Sequence, residues 1–280
     1  MTSENAPDPS SQRAVLRAEI NGLSVAYERA GQGTPLLLLH GFTQDLRVWR
    51  PQLNGLSDQH TVIAWDAPGA GQSSDPPDTY EIGDWADCLA ELLDAAAVQR
   101  PAHVVGLSWG GLLAQEFYRR HPARVRSLVL ADTYAGWTGS LSSSVAAERL
   151  AACVRDSALA HQEFVPRYLP GMFSASVAPE VRDELAHIMS QFHPAGFRRM
   201  ASALAYADTR DLLPSLRVPT LLVWGDADVR SPLAVAHQLR AAIPGAQLTI
   251  LSGAGHVSNL EAPAAFNAAV RQFCQSVEME

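Results

Sequence analysis

A single serine stands between glycines in the segment HVVGLSWGGLLAQEF, where a strand-like half meets a helix-like half. A sharp strand-to-helix turn forces the residue at the bend, Ser108, into a strained backbone conformation. Gly106 and Gly110 satisfy the need for small neighbours, because the two backbones converge there. The bend lifts the Ser108 hydroxyl clear of the sheet and leaves free N–H groups of the helix beside it. These features predict a nucleophile next to a site that stabilises an anion.

A serine hydroxyl needs a base, and the base needs a group that orients it. His256 is the candidate base, because it follows the strand-like segment AQLTIL in a loop of small residues, GAGHVSN. The orienting acid has three candidates at the ends of strand-like segments: Asp226 and Asp228 in VWGDADVRSP, and Asp132 in LVLADT. The residues alone therefore predict a Ser-His-Asp arrangement in which the acid is one of three.

The elements that must position these loops follow a regular pattern. Apolar runs alternate with helical patterns such as residues 82–98 and 112–121. The runs are continuously hydrophobic, which indicates strands covered on both faces, and strand-helix alternation indicates a largely parallel sheet. They span residues 35–41, 61–67, 102–108, 125–132, 219–226 and 246–253, after a hairpin that turns at Asn21-Gly22.

The alternation stops between residues 133 and 216, where the chain has helical spacing and no strand-like run. An all-helical insert between two sheet strands is expected to lie over the strand ends as a lid. The chain is accordingly predicted to comprise a polar, disordered tail at 1–14, an α/β core at 15–132, the helical lid at 133–216 and the rest of the core at 217–280.

These segments together resemble the α/β-hydrolase superfamily from about residue 16 to the end of the chain. The nucleophile-elbow pattern G-x-S-x-G is met around Ser108, and the pattern G-x-x-D-x-x-x-P is met by Gly225, Asp228 and Pro232. A third pattern, G-H-x-x-x-x-E-x-P, includes His256. The resemblance implies an α/β-hydrolase fold with a mostly parallel eight-stranded sheet and an inserted helical lid. It also implies that Asp228 is the acid of a triad with Ser108 and His256.

An oxyanion formed at the substrate carbonyl needs two preorganised N–H donors. The backbone N–H of Trp109, directly after the nucleophile, is the first. The resemblance implies that the second is the N–H of Phe42 in LLLLHGFTQD, with His40 and Gly41 shaping that loop. The Gly-rich segment WDAPGAGQSS matches a further loop of the same family, and we interpret it as a structural turn under the site.

The helical insert is expected to supply the wall of the substrate pocket. Its aromatic side chains provide an apolar lining, and we predict a pocket formed by Trp137, Phe173, Phe192 and Val257. Three lid arginines are candidates to meet a substrate carboxylate, although solvated helix faces are the simpler interpretation: Arg167, Arg198 and Arg199.

The composition excludes several other classes. A net charge of −8 leaves no basic surface for nucleic acid or anionic lipid, and no apolar run is long enough for a membrane span. The three cysteines are scattered singly, which favours small buried side chains in a reducing, cytoplasmic compartment. No metal-binding or phosphate-binding motif is present, so no cofactor and no metal are expected.

The leading hypothesis is a cofactor-independent serine hydrolase that cleaves a small carboxylic ester or lactone through an acyl-enzyme. The segments HGF, GLSWGG, HPARVRSLVLADT and GDAD resemble most the branch of 3-oxoadipate enol-lactonases and bacterial esterases. Alternatives on the same triad are a carbon–carbon bond hydrolase, a thioesterase or a perhydrolase. An alternative of another class is a non-catalytic, ligand-binding receptor on the same fold.

Overall fold

One eight-stranded sheet forms the centre of the structure, a computed structural model that describes residues 13–279. The strands are β1 (Leu16–Ile20), β2 (Leu23–Ala30), β3 (Thr34–Leu39), β4 (His60–Trp65), β5 (Ala102–Leu107), β6 (Val125–Ala131), β7 (Thr220–Gly225) and β8 (Gln247–Leu251). Their order across the sheet is β1-β2-β4-β3-β5-β6-β7-β8. The pairs β1–β2 and β2–β4 are antiparallel and the others are parallel, so the predicted eight-stranded, mostly parallel sheet is confirmed.

Eleven α-helices accompany this sheet in the described part of the chain; helix 82–95 packs against helix 109–120, and helix 50–56 packs against helix 263–279. Their bounds are α1 (Arg50–Leu56), α2 (Ile82–Ala95), α3 (Trp109–Arg120), α4 (Trp137–Ser140), α5 (Ser143–Asp156), α6 (His161–Tyr168), α7 (Pro179–Met189), α8 (Pro194–Tyr206), α9 (Leu233–Ala242), α10 (Ser258–Glu261) and α11 (Pro263–Met279). In the part of the chain that the structure describes, no helix is long and apolar enough to cross a membrane.

The burial of the strands follows from their positions in the sheet. Every residue of β4, β5 and β7 is buried, as the continuous apolar runs predict for strands covered on both faces. The edge strand β8 differs, because Ile250 in its middle is 44% exposed. The prediction of two covered faces was therefore wrong for this strand, whose sequence QLTIL places the polar residues Gln247 and Thr249 among its apolar ones.

The first two strands form the predicted hairpin. Ile20 pairs with Leu23, so that the turn consists of Asn21 and Gly22 alone. Both turn residues have positive φ, 50° and 81°, as a two-residue turn that follows the twist of the strands requires.

The five helices α4–α8 all lie between β6 and β7 in the sequence. Within this insert α5 packs against α8, and the rings of Phe164, Phe192 and Phe197 stack or cross at short distances. The division into core and lid at residues 133 and 216 stays a prediction. The predicted tail at residues 1–14 falls almost entirely on residues 1–12, which lie outside the described residues.

The topology brings one set of loops to a single edge of the sheet. Parallel strands point the same way, so the loops that follow their carboxyl ends converge there. The residues of interest at this edge are Phe42 after β3, Ser108 after β5, Asp132 after β6, Asp228 after β7 and His256 after β8.

Candidate active site

The turn from β5 into α3 has the strained geometry that the sequence predicts. Ser108 has φ 53° and ψ −113°, a conformation that side chains rarely adopt. A Cβ atom on Gly106 would collide with the carbonyl oxygen of Gly110, and one on Gly110 would collide with that of Leu39. Only glycine therefore fits on either side of the serine, and the turn holds its hydroxyl at the start of α3.

Three side chains form an unbroken chain of hydrogen bonds at this edge. The hydroxyl of Ser108 lies 2.9 Å from Nε2 of His256, and Nδ1 of His256 lies 2.8 Å from Oδ2 of Asp228. Because a carboxylate only accepts hydrogen bonds, Nδ1–H donates to Asp228 and Nε2 is left to accept the proton of Ser108. The imidazole side chain is 6% exposed and the carboxylate is fully buried.

The loop after β7 holds Asp228 in place through its second oxygen. Oδ1 accepts hydrogen bonds from the backbone N–H groups of Arg230, at 2.7 Å, and Ser231, at 2.9 Å. Oδ2 is thereby free for His256 alone. Both oxygens of the buried carboxylate have partners, as a buried charge requires.

The other two acids lie apart from the imidazole nitrogens. Oδ1 of Asp226 accepts the N–H of Gly253 at 2.7 Å, so this carboxylate closes an exposed turn. Asp132 is fully buried, and it accepts hydrogen bonds from Gly225 N–H at 2.9 Å and from the hydroxyl of Ser258 at 2.5 Å. Burial raises the pKa of Asp132, and the negative charge of Asp228 raises it further. Asp132 therefore ties the end of β7, at Gly225, to the segment that follows His256, at Ser258.

The two backbone N–H groups predicted for the oxyanion hole have no acceptor in the part of the chain that the structure describes. The N–H groups of Phe42 and Trp109 make no hydrogen bond to any residue between 13 and 279. That of Trp109 belongs to the first residue of α3, where an α-helix leaves its N–H groups without an intrahelical acceptor. These are the two donors expected for an oxyanion hole.

His40 fixes the loop that carries Phe42. Its Nδ1–H donates to the carbonyl oxygen of Gly41 at 2.9 Å, and its Nε2 accepts the N–H of Ala67 at 3.0 Å. Burial lowers the pKa of His40, so the neutral ring that makes both bonds is the favoured form. His40 thus acts on the loop and has no free nitrogen for proton transfer.

The segment WDAPGAGQSS forms a tight turn next to this loop. The carboxyl group of Asp66 accepts the N–H groups of Leu46 and Gln72, each at 2.7 Å. The hydroxyl of Ser73 donates to the backbone oxygen of Asp66 at 2.6 Å. The segment joins β4 to the strand-3 loop by hydrogen bonds, in keeping with the structural role that we predicted for it.

Ser108 and His256 open into a cavity of about 290 Å³ between the sheet edge and the helical insert. Of the predicted pocket residues, Trp137 lines this cavity, as does Phe42. The other side chains of its wall are Tyr134, Arg149, Ala152, Cys153, Tyr168, Met172, Leu204, Val229 and Arg230.

Three of the predicted pocket residues are not among the side chains that line this cavity, and their part in a substrate pocket stays a prediction. Phe192, in the segment between α7 and α8, stacks on Phe164 inside the insert, with ring centroids 3.8 Å apart. Phe173 lines a separate groove, which it shares with Pro166 and Arg182. Val257 is fully buried below the cavity, where its backbone N–H donates to the carbonyl oxygen of Met172 at 3.1 Å.

The three candidate lid arginines also lie outside the cavity wall. Arg167 pairs with Asp156 at 2.8 Å, Arg198 donates to the hydroxyl of Ser157 at 3.3 Å, and Arg199 donates to the backbone oxygen of Tyr80.

The arginines that do line the cavity, Arg149 and Arg230, were missed by sequence reasoning. Arg230 had a usable signal, because it follows Asp228 by two residues at the carboxyl end of a strand. Tyr134 had a similar signal, because it follows Asp132 by two residues at the carboxyl end of β6. Arg149 had no such signal, since only the packing of α5 brings it to the cavity.

Metal-ligating side chains do not cluster at this site. Among residues 13–279, no three His, Cys, Asp or Glu side chains come together as metal ligands would. The arrangement instead contains the parts needed for acyl transfer: a hydroxyl beside a base, an acid that orients the base, and two unpaired N–H donors.

Comparison with known proteins agrees with this geometry. A family model described as the alpha/beta hydrolase fold matches residues 34–263. Among curated proteins, 3-oxoadipate enol-lactonase 2 of Acinetobacter baylyi is 30% identical over 238 residues, which are 84% of this chain and 86% of that protein.

Two solved structures of this kind are also similar. A thermophilic esterase from Thermogutta terrifontis superposes with a TM-score of 0.87 at 28% identity, covering 94% of this chain and 99% of that one. The enol-lactonase of Burkholderia xenovorans superposes with a TM-score of 0.85 at 26% identity, covering 93% and 100%.

Proposed function

Because the chain belongs to the α/β-hydrolase family and its relatives are hydrolases, we propose that it is a cofactor-independent serine hydrolase of a small carboxylic ester or lactone. The observation that carries this proposal is the hydrogen-bond chain Asp228–His256–Ser108 at the wall of a closed-in cavity. A ligand-binding receptor on the same fold can keep the three side chains, so turnover of a short ester separates the two functions.

The first half of the reaction transfers the acyl group to the enzyme. Oγ of Ser108 attacks the carbonyl carbon of the substrate while its proton passes to Nε2 of His256. The N–H groups of Phe42 and Trp109 receive the oxyanion, and the carboxylate of Asp228 stabilises the imidazolium. The intermediate then expels an alkoxide, which takes the proton from His256. With a lactone, the new hydroxyl stays attached to the acyl chain.

The second half releases the acid. Nε2 of His256 removes a proton from a water molecule as the water oxygen attacks the acyl carbonyl carbon. The same two N–H groups receive the second oxyanion. When the intermediate collapses, Oγ of Ser108 leaves and recovers the proton from His256, so that the triad returns to its starting state.

The size of the cavity supports a small substrate. Its volume of about 290 Å³ lies at the lower end of the range for ligand pockets, roughly 300–1,000 Å³. Most of its wall is apolar, with Trp137, Met172 and Leu204 among the lining residues. We therefore expect short acyl chains to be preferred over long ones.

Turnover of 4-nitrophenyl acetate and a fluorophosphonate probe test the proposal together. The wild-type protein is expected to hydrolyse the ester and to be labelled at Ser108, and Ser108→Ala is expected to lose both. Ser143→Ala, which changes an exposed serine of α5, is the matched control and should retain both. Labelling of Ser108→Ala, or a folded wild-type protein that is inactive on short esters and lactones, would contradict the proposal.

The same assay separates the other reactions that this triad could serve. A panel with an acetyl thioester, a vinylogous diketone and acetate plus hydrogen peroxide measures thioesterase, carbon–carbon hydrolase and perhydrolase activity. A kcat/KM for one of these well above that for all esters and lactones would replace the ester assignment while leaving the triad in place.

A further inference from the structure

Two cationic side chains line the cavity beside Ser108. Arg149 comes from α5 and Arg230 from the loop after β7, and no acidic side chain among residues 13–279 lines the same wall. Neither arginine forms an ion pair with any described carboxylate, whereas Arg167 on the outer side of the insert pairs with Asp156. The cavity therefore carries positive charge that the rest of the described protein does not neutralise by contact.

Arg230 is fixed from one side and free on the other. Its Nη2 donates to the backbone oxygens of Tyr168 and of Pro170, the latter at 2.9 Å. Its Nε is buried without a partner, and its Nη1 makes no hydrogen bond to the described chain. The guanidinium is thus held in one orientation with donors left over, which is the preorganised state that favours anion binding.

Tyr134 and Trp137 complete this part of the wall. The hydroxyl of Tyr134 is buried near the side chains of Arg149 and Ser231 and accepts or donates no hydrogen bond of normal geometry within residues 13–279. The guanidinium carbon of Arg149 lies 5.7 Å from the centroid of the Trp137 ring, where a cation–π contact holds it on the wall. A buried hydroxyl without a partner is costly, and an oxygen acceptor in the cavity would remove that cost.

Asp228 offsets part of the charge of Arg230 from a distance, but it forms no ion pair with either arginine within residues 13–279. Its oxygens already accept two backbone N–H groups and His256, and its charge is needed when the imidazole becomes protonated. Burial lowers the pKa of Arg230, the charge of Asp228 opposes this shift, and the like charge of Arg149 adds to it. An anion between the two arginines would offset both effects.

We propose that Arg149, Arg230 and Tyr134 form a subsite for a carboxylate of the substrate, which makes the preferred substrate an ester or lactone with a second, free carboxylate in its acyl part. This inference rests on the proposed hydrolysis at Ser108. A cavity of this size brings the far end of a short acyl chain to its other wall, so the carboxylate would be a few bonds from the scissile carbonyl.

Two esters of equal chain length test the subsite. Monoethyl glutarate ends in a carboxylate and ethyl pentanoate ends in a methyl group, and hydrolysis of both is followed by proton release. We expect the wild-type protein to prefer the anionic ester by at least tenfold in kcat/KM. Because buried charges are screened weakly, the preference should persist at 0.5 M salt, at which attraction by exposed charge is lost.

The variants separate the subsite from general effects on the fold. Arg149→Gln should reduce the preference to about onefold, and the contact that the protein itself loses is the cation–π contact of Arg149 with Trp137. Tyr134→Phe should reduce the preference for the anionic ester severalfold, although the charges of Arg149 and Arg230 remain. Arg182→Gln, an exposed lid arginine, is the matched control and should leave the preference at its wild-type value.

The outcomes distinguish this proposal from the previous one. If the wild-type protein hydrolyses ethyl pentanoate but shows no preference for monoethyl glutarate, the subsite is wrong and the hydrolase assignment stands. A preference that Arg149→Gln and Tyr134→Phe leave intact also overturns the subsite. If neither these nor other short esters and lactones are hydrolysed, the proposed function itself fails.

Discussion

The rings of Phe42 and Phe197 stack with centroids 4.6 Å apart and planes inclined by 11°. Phe42 carries one of the two N–H groups proposed for the oxyanion hole, and Phe197 lies on α8 of the helical insert. The insert therefore contacts the loop of the candidate oxyanion hole directly. A change in the insert can alter the chemistry as well as substrate binding.

We expect Phe197→Leu to lower kcat for a short ester by several-fold. The substitution removes an aromatic stack worth about 0.5–1.5 kcal/mol and loosens the loop that must hold the Phe42 N–H in place. Steady-state kinetics with 4-nitrophenyl acetate measure the effect.

Phe164→Leu is the matched control, because Phe164 stacks on Phe192 in the same cluster, and its aromatic contacts do not include Phe42. Both variants should lose a similar amount of thermal stability, but only Phe197→Leu should lose kcat. Equal losses of kcat in the two variants would show that the stack acts through stability alone.

Asp228→Asn should reduce turnover by about 10³–10⁴-fold, because an amide can donate to Nδ1 and so hold the imidazole in the wrong tautomer. Asp226→Asn changes an exposed acid of the same loop and should keep turnover within a few-fold of wild type. Kinetics of the two variants, with Asp132→Asn as a third, measure which carboxylate orients His256. A severe loss confined to Asp132→Asn would contradict our assignment.

The fold and the chemistry-bearing loops could be predicted because each leaves a local trace in the sequence. Continuous apolar runs marked the strands, and Gly106 and Gly110 marked the turn, since no other residue fits there. The rule that carboxyl ends of parallel strands converge then placed Ser108 and His256 at one edge.

The pocket could not be predicted in the same way, because the packing of helices decides which side of an amphipathic segment faces the cavity. Phe192 and Trp137 are both aromatic residues of the insert, yet one lies in the lid core and the other on the cavity wall. Arg149 lies on the same insert, and no local pattern separates it from Arg167, which pairs with Asp156 outside the cavity.

Gly110→Ala should destabilise the protein far more than Gly245→Ala. A Cβ at position 110 meets the backbone of β3, which cannot move without disturbing the sheet, whereas one at position 245 meets open space. The cost at Gly245 is then only that of a positive φ, about 1 kcal/mol. Urea denaturation measures both changes, and poor folding of Gly110→Ala is in the expected direction. Similar midpoints for the two variants would contradict the close approach of strand and helix.

The last prediction concerns His103, which is fully buried in β5 and lies 2.7 Å from the hydroxyl of Ser127. Burial lowers the pKa of His103 to about 4, below the ordinary value of roughly 6.5. Between these values the unfolded chain binds one more proton than the folded protein, so the free energy of unfolding decreases as the pH falls. From pH 7 to pH 5 this contribution is about 2 kcal/mol.

Asp66 opposes this dependence, because burial raises the pKa of its carboxyl group to about 8. The folded protein then holds a proton that the unfolded chain releases, so the contribution of Asp66 to the free energy of unfolding decreases as the pH rises. The measurement is therefore a difference: urea denaturation of wild type and His103→Gln at pH 7 and pH 5. Wild type should lose about 2 kcal/mol more than the variant over this interval. The exposed His237→Gln should behave as wild type. If wild type and His103→Gln lose equal free energy between the two pH values, His103 is not held neutral by the fold.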